Sequence, residues 1–392
     1  EQEEERPDKA CQDSRSGILE DDAVRRYGQA MLQLKEVKRH MIAGSAIQEF
    51  DFFIQWHLTE RCDLRCRHCY QGAGLPLEMS AGEVLREIDG ASSMFKAWES
   101  EQGIRVNPSI HFTGGEPLLF PAFREVVRHA RETGFRVAVM TNGCRVTTDD
   151  ARALKELDVF DVQVSLEGPE SLHDSIRGRV SVRAALKGEE NLARAGNRVS
   201  ANVTLSRLNA FRIGETAAIA RNGGFSSIGF SRLVPCGRGE TLLSDLLSPD
   251  ELRRAYEEVQ SLNGPDFEVV SGDPLAVSLR CESPPPDSGL TLSGCSAGFS
   301  GITIAADGSV MPCRRIGIVV GNLKKKSLRQ IWATSRTLWK LRHRGSYKGR
   351  CGTCEQWPSC RGCRAVAYAC SKARGRADLF ADDPQCWHIP RG

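Results

Sequence analysis

The sequence predicts an α/β fold, a partial (β/α)6 barrel of the TIM type followed by a cysteine-rich C-terminal domain. Three observations carry this prediction. Between residues 51 and 239 short apolar runs alternate with longer helical patterns, an order that builds βα units around a parallel sheet. There are six such units, two fewer than a closed eight-stranded barrel needs. Beyond Gly239 the alternation stops, and nine of the fifteen cysteines fall between Cys281 and Cys386.

Residues 1–50 are polar and then helical in pattern, with Val24, Met31, Leu34 and Val37 at helical spacing over 21–41. This arm caps the barrel or forms part of a peptide-recognition module. Predicted strands follow at 52–58, 109–113, 136–140, 162–166, 199–205 and 227–233, with helices between them at 80–98, 121–133, 148–157, 183–195 and 213–222. A bridging segment, 240–280, contains a helix over 249–262. The run Glu282-Ser283-Pro284-Pro285-Pro286-Asp287-Ser288-Gly289 reads as a surface loop, inside a final unit spanning 281–392. No unit-length internal repeat is visible.

Of 392 residues, 40% are hydrophobic and 26% charged, ordinary for a globular chain. A net charge of +3 argues against a nucleic-acid partner. Lys324-Lys325-Lys326 and Arg342-His343-Arg344 read as a solvated face. No stretch is long and apolar enough to span a bilayer, and the acidic start Glu1-Gln2-Glu3-Glu4-Glu5 lacks a signal-peptide pattern. Fifteen cysteines in such a chain point to metal or catalysis in a reducing cytoplasm rather than to disulfides.

The most informative residues are Cys62, Cys66 and Cys69, in Thr-Glu-Arg-Cys-Asp-Leu-Arg-Cys-Arg-His-Cys-Tyr. Gaps of three residues and then two place three thiolates on one loop, directly after the first strand. Chemistry in βα barrels sits at the C-terminal ends of the strands. Three thiolates on a 4Fe–4S cluster leave one iron without a protein ligand, open to the amine and carboxylate of a small molecule. Zinc with His68 as a fourth ligand is the other reading of the loop taken alone. The second strand ends in Thr113-Gly114-Gly115-Glu116-Pro117. Thr141-Asn142-Gly143 follows the third strand, Ser165-Leu166-Glu167-Gly168 the fourth, and then comes His173-Asp174-Ser175-Ile176-Arg177-Gly178.

These segments, in this order, resemble the radical S-adenosylmethionine superfamily. The resemblance implies a 4Fe–4S cluster on Cys62, Cys66 and Cys69 and S-adenosylmethionine as cofactor, cleaved to a 5′-deoxyadenosyl radical. It implies that Gly114, Gly115 and Glu116 bind the methionine amine, where glycine lets backbone approach a ligand. By the same resemblance Ser165 and Arg177 sit near the ribose and the methionine carboxylate, a suitable partner for a guanidinium. Asn202 reaches the ribose, and His68 and Tyr70 lie near adenine.

The C-terminal pattern is Cys295, Gly308-x4-Cys313, Cys351-x2-Cys354-x5-Cys360-x2-Cys363 and Cys386. It resembles the SPASM extension, which holds one or two auxiliary 4Fe–4S clusters. The resemblance assigns Cys351, Cys354, Cys360 and Cys386 to an outer cluster and Cys295, Cys313 and Cys363 to an inner one. The inner fourth position falls to Cys281 or Cys370 or stays open. The pattern departs from the common form, which has three residues rather than two between the last pair. Zinc is again the alternative for four such cysteines.

Leu233-Val234-Pro235-Cys236-Gly237-Arg238-Gly239 and the run from Cys360 to Cys386 resemble both peptide maturases and enzymes of alternative haem and haem d1 biosynthesis. The first implies abstraction of hydrogen from a ribosomally made peptide, giving a crosslink, thioether or oxidative change. The second implies removal of carboxylates from an iron porphyrin. A flavodoxin or ferredoxin is the implied electron donor. The sequence singles out no catalytic acid or base. Cys236 and Arg238 lie where substrate passes, although a cysteine after Pro235 is more often a packed small side chain.

Overall fold

A computed structural model describes residues 49–72, 77–280 and 294–388. The arm helix expected at 21–41, Cys11 and Cys281 lie outside the described residues. Six parallel strands occupy the expected places: β1 (Glu49–Thr59), β2 (Arg105–Gly114), β3 (Arg136–Thr141), β4 (Asp161–Ser165), β5 (Val199–Leu205) and β6 (Ser227–Arg232). Helices connect them, beginning with Ala81–Gln102, whose N-cap Ser80 forms a capping box with Glu83. Thr147 with Asp150 and Ser248 with Glu251 cap Thr148–Glu156 and Pro249–Ser261 in the same way. No described helix is long and apolar enough to cross a membrane.

The sheet runs further than six strands. β7 (Glu268–Val270) pairs parallel to β6, and β8 (Gly301–Ile304) pairs parallel to β1, with Ile54 opposite Ile302 and Trp56 opposite Ile304. β9 (Ser309–Met311) and β10 (Gly321–Asn322) add antiparallel edges. The order is β10-β9-β8-β1-β2-β3-β4-β5-β6-β7, an unclosed sheet centred on the barrel strands. The bridging segment thus contributes a strand as well as helices, and the cysteine-rich region is joined to the barrel by hydrogen-bonded backbone.

Side-chain parity along the strands divides the two faces. Val139, Val162, Val164, Val203 and Phe230 enter the hydrophobic core. Met140, Gln163, Ser165, Asn202, Thr204 and Ser231, the alternate positions, line a cavity on the concave side. Successive strand side chains point to opposite faces, so a polar residue at every second position marks a wet interior. The core also ties in the C-terminal region. Trp332 packs edge-on against Phe52 at 5.0 Å and tilted against Trp98 at 5.9 Å between ring centroids.

Candidate active site and cysteine sets

Backbone contacts fix the loop carrying Cys62, Cys66 and Cys69 on both sides. Gly115 N–H donates to Thr59 O and Glu116 N–H to Arg61 O, both at 2.8 Å. Arg67 N–H donates to Ile176 O, and Gly239 N–H to Cys69 O. A Cβ on Gly115 would lie 2.2 Å from Arg61 O, and one on Gly114, whose φ is +144°, 2.2 Å from Thr59 O. In this structure the glycines let β2 and the cysteine loop approach each other. Gly237 does the same opposite Tyr70 O.

The cavity at the strand ends has an empty volume of about 960 Å³, part of it open to solvent. Cys62, Cys66, Cys69, His68, Tyr70, Gly114, Gly115, Ser165, Arg177 and Asn202 all line it, so nine-tenths of a scattered list converge on one space. Its size suits a nucleoside-sized ligand with room beside it. Burial pushes the Cys62 thiol up to about 11 and raises Cys66 too, so a metal entering here displaces protons. Among the described residues no three His, Cys, Asp or Glu side chains converge as they would on a single metal ion.

Glu116 departs from the expectation. Its carboxylate is fully buried and does not line the cavity. Oε1 accepts from the Thr141 hydroxyl at 2.8 Å and Oε2 from Asn142 N–H at 2.9 Å. Burial raises it to about 7 against these hydrogen bonds. It fastens the glycine turn to the end of β3, because a buried carboxylate is tolerated only where donors satisfy it.

Glu167 is the group that motif reading passed over. It is fully buried, and its Oε1 takes His68 Nε2 at 2.8 Å and Arg177 Nε and Nη2 at 2.9 and 2.7 Å. Oε2 accepts from Thr204 N–H. Burial alone would raise this carboxyl. The His68 and Arg177 charges and the hydrogen bonds outweigh it and hold it at about 2. Arg177 is thereby aimed with Nη1 4.0 Å from Cys66 Sγ. The sequence signal was a glutamate at a strand end facing a motif arginine. Tyr70 is held by its hydroxyl donating to Gly114 O at 2.8 Å.

Arg238, Arg314 and Arg315 also line the cavity. Arg238 follows β6, where the sequence places substrate, whereas Arg314 and Arg315 directly follow Cys313 and carry no motif signal. Cys236 is partly buried against the core and absent from the cavity wall, the packed alternative for that residue.

In the C-terminal region Cys351, Cys354, Cys360 and Cys386 surround one pocket of about 440 Å³ empty volume. Asp383, fully buried, binds Arg232 through two hydrogen bonds and accepts from Cys363 N–H at 2.8 Å. Cys295 N–H donates to Cys360 O at 3.0 Å. The short spacing between Cys360 and Cys363 has a local cause. Arg361 and Gly362 take φ of 63° and 59°, two successive left-handed residues that turn the chain tightly. The Arg361 guanidinium secures the turn on Cys295 O and over the Phe299 ring at 4.2 Å. Cys370 is buried, with Asp383, Arg374 and Arg232 as the charged groups acting on it.

Residues 56–217 match the model of the Radical SAM superfamily, and residues 295–364 that of the SPASM iron–sulfur cluster-binding domain. The chain is 32% identical to mycofactocin maturase MftC of Mycobacterium tuberculosis, covering 85% of this chain and 82% of that one. It is 29% identical to the AdoMet-dependent heme synthase of Methanosarcina barkeri, covering 86% and 96%. Its fold matches Streptococcus suis SuiB bound to precursor peptide SuiA with a TM-score of 0.68 at 17% identity, covering 92% and 79%.

Proposed function

The chain belongs to the radical SAM superfamily with a SPASM extension, and from that premise we propose that it modifies a ribosomally synthesised peptide by hydrogen abstraction. The bound 4Fe–4S cluster and S-adenosylmethionine supply a 5′-deoxyadenosyl radical in this family. The observation that carries the reading is the single cavity lined by Cys62, Cys66, Cys69, Gly114, Gly115, Ser165, Arg177 and Asn202. Cys62, Cys66 and Cys69 hold the cluster. Arg177, fixed by Glu167, receives the methionine carboxylate. Gly114 and Gly115 bring their backbone to the amine, and Glu116 acts behind them by fixing the turn. Ser165 and Asn202 face the ribose, and His68 and Tyr70 the adenine.

Cys351, Cys354, Cys360 and Cys386 hold an outer auxiliary cluster around their shared pocket, and Cys295, Cys313 and Cys363 an inner one. Held there, such clusters would supply an acceptor for the electron left on the substrate or an iron site for a substrate thiolate. A flavodoxin or ferredoxin supplies the starting electron. The identity to a peptide maturase, 32%, favours the peptide and a crosslink, thioether or oxidative product. Coverage of 96% of a heme synthase supports a second reading, decarboxylation of iron-porphyrin side chains.

The test is anaerobic. Reconstituted protein is reduced, given S-adenosylmethionine, and offered either candidate short precursor peptides or an iron porphyrin with propionate arms. Stimulated 5′-deoxyadenosine with a mass change on the peptide supports the first reading; carboxylate loss from the porphyrin replaces it with the second. No 5′-deoxyadenosine from fully loaded protein would refute both.

A further inference from the structure

Three guanidiniums on the cavity wall form no ion pair with a carboxylate, although the Cys313, Cys363 and Cys236 thiols and, at longer range, Asp273 act on Arg315. Arg238 Nε donates to Cys66 O at 3.2 Å, so this wall begins at the three-thiol loop. Arg314 lies over the Tyr70 ring, 4.8 Å from its centroid. Arg315 Nη1 donates to Arg232 O at 3.3 Å, while its Nε is buried with no hydrogen-bond partner. The carboxylates nearby are already engaged: Glu116 by Thr141 and Asn142, Glu167 by His68 and Arg177, and Asp273 and Asp383 by Arg232. Among the described residues none of the three arginines has a carboxylate within 4.0 Å.

Burying a guanidinium donor unpaired, as Arg315 Nε is, is costly. An arriving planar anion relieves this, and a carboxylate matches the guanidinium fork in two parallel hydrogen bonds. We infer that Arg314 and Arg315, with Arg238 beside them, seat a carboxylate of the substrate. This rests on the radical-enzyme reading for the identity of the cavity and deepens it. The substrate enters acid end first, with the carboxylate close to the reacting position. That carboxylate is the C-terminus of a peptide or a propionate of a porphyrin, and the arginines recognise the same chemistry in either.

The test measures binding to anaerobically reconstituted protein with S-adenosylmethionine present. The probes come in pairs: short synthetic peptides with a free C-terminal carboxylate and with a C-terminal amide, and an iron porphyrin with free propionates and its methyl ester. Wild-type protein should bind the acid of one pair about tenfold or more tighter than its neutral form, as expected for a charge-assisted hydrogen bond. The pair that discriminates identifies the source. Arg314→Gln and Arg315→Gln should bring acid and neutral affinities together, and Arg→Lys should restore part of the difference. A misfolded variant would weaken both members of a pair, so the ratio is its own control.

Equal affinity for acid and neutral forms in both pairs, failure of both acids to bind, or undiminished discrimination in both Gln variants would overturn the inference. Formation of 5′-deoxyadenosine is measured separately. Its absence from wild-type protein that still prefers the acid would count against the radical reading and leave the carboxylate seat standing.

Discussion

Glu167→Gln is the most demanding test of the site's construction. The wild-type carboxylate is fully buried and carries His68, Arg177 and the Thr204 N–H on its two oxygens. It is held at about 2, against an ordinary value of 4.5. At about 1.36 kcal/mol per pH unit, that difference makes the ionised form worth roughly 3 kcal/mol to the folded state. Removing one member of a buried pair costs about 3–5 kcal/mol by independent precedent, so two routes agree. Because the folded value is depressed, the contribution is full above about 4.5 and is lost only as pH falls toward 2. The carboxylate itself stays ionised well above that range, so the gap between wild type and variant should persist at pH 8. Thermal unfolding of iron-loaded protein in anaerobic buffers reads it as a melting point lowered by several degrees. Calorimetry should show weaker S-adenosylmethionine binding, since Arg177 and His68 lose their common anchor. An unchanged melting point at pH 8 would refute the reasoning.

The other predictions concern the turn and the cysteine sets. Gly115→Ala puts a Cβ 2.2 Å from Arg61 O and should displace the backbone beside Cys62. Iron content and 5′-deoxyadenosine yield should both fall, whereas Gly72→Ala, with no atom within 4 Å, should keep both. Glu116 has a raised value near 7, so the cost of ionising it builds as pH rises from about 4.5 and is complete above 7. Without S-adenosylmethionine, Glu116→Gln should gain on wild type between pH 5.5 and 7.5, by about 3 kcal/mol at most, then level off; a constant difference in melting point would contradict this. Cys354→Ala should lower iron by about four atoms per chain. Iron equal to that of wild type would remove the outer set.

The sequence alone determined those features that local spacing encodes. Three cysteines within eight residues declare a shared ligand because a short loop holds its thiolates together whatever surrounds it. The six strands and their helices were legible because apolar periodicity reports which side of an element is buried. β5 (Val199–Leu205) and the helix Ile213–Asn222 fall where the pattern placed them. Tertiary structure decided what depends on groups distant in the chain. His68 meets Glu167 across 99 positions, and Arg232 meets Asp383 across 151. Glu116 turned inward because Thr141 and Asn142 offered donors at the end of another strand. β7 and β8 are too short for period-two alternation to announce them, and they exist because the edges of β6 and β1 were open to pairing. Arg314 and Arg315 are ordinary basic residues in sequence; only the folding of their segment against β6 and Tyr70 puts them in the cavity wall. A buried charge acquires its meaning from its partner, and partners are chosen by the packing of the whole chain.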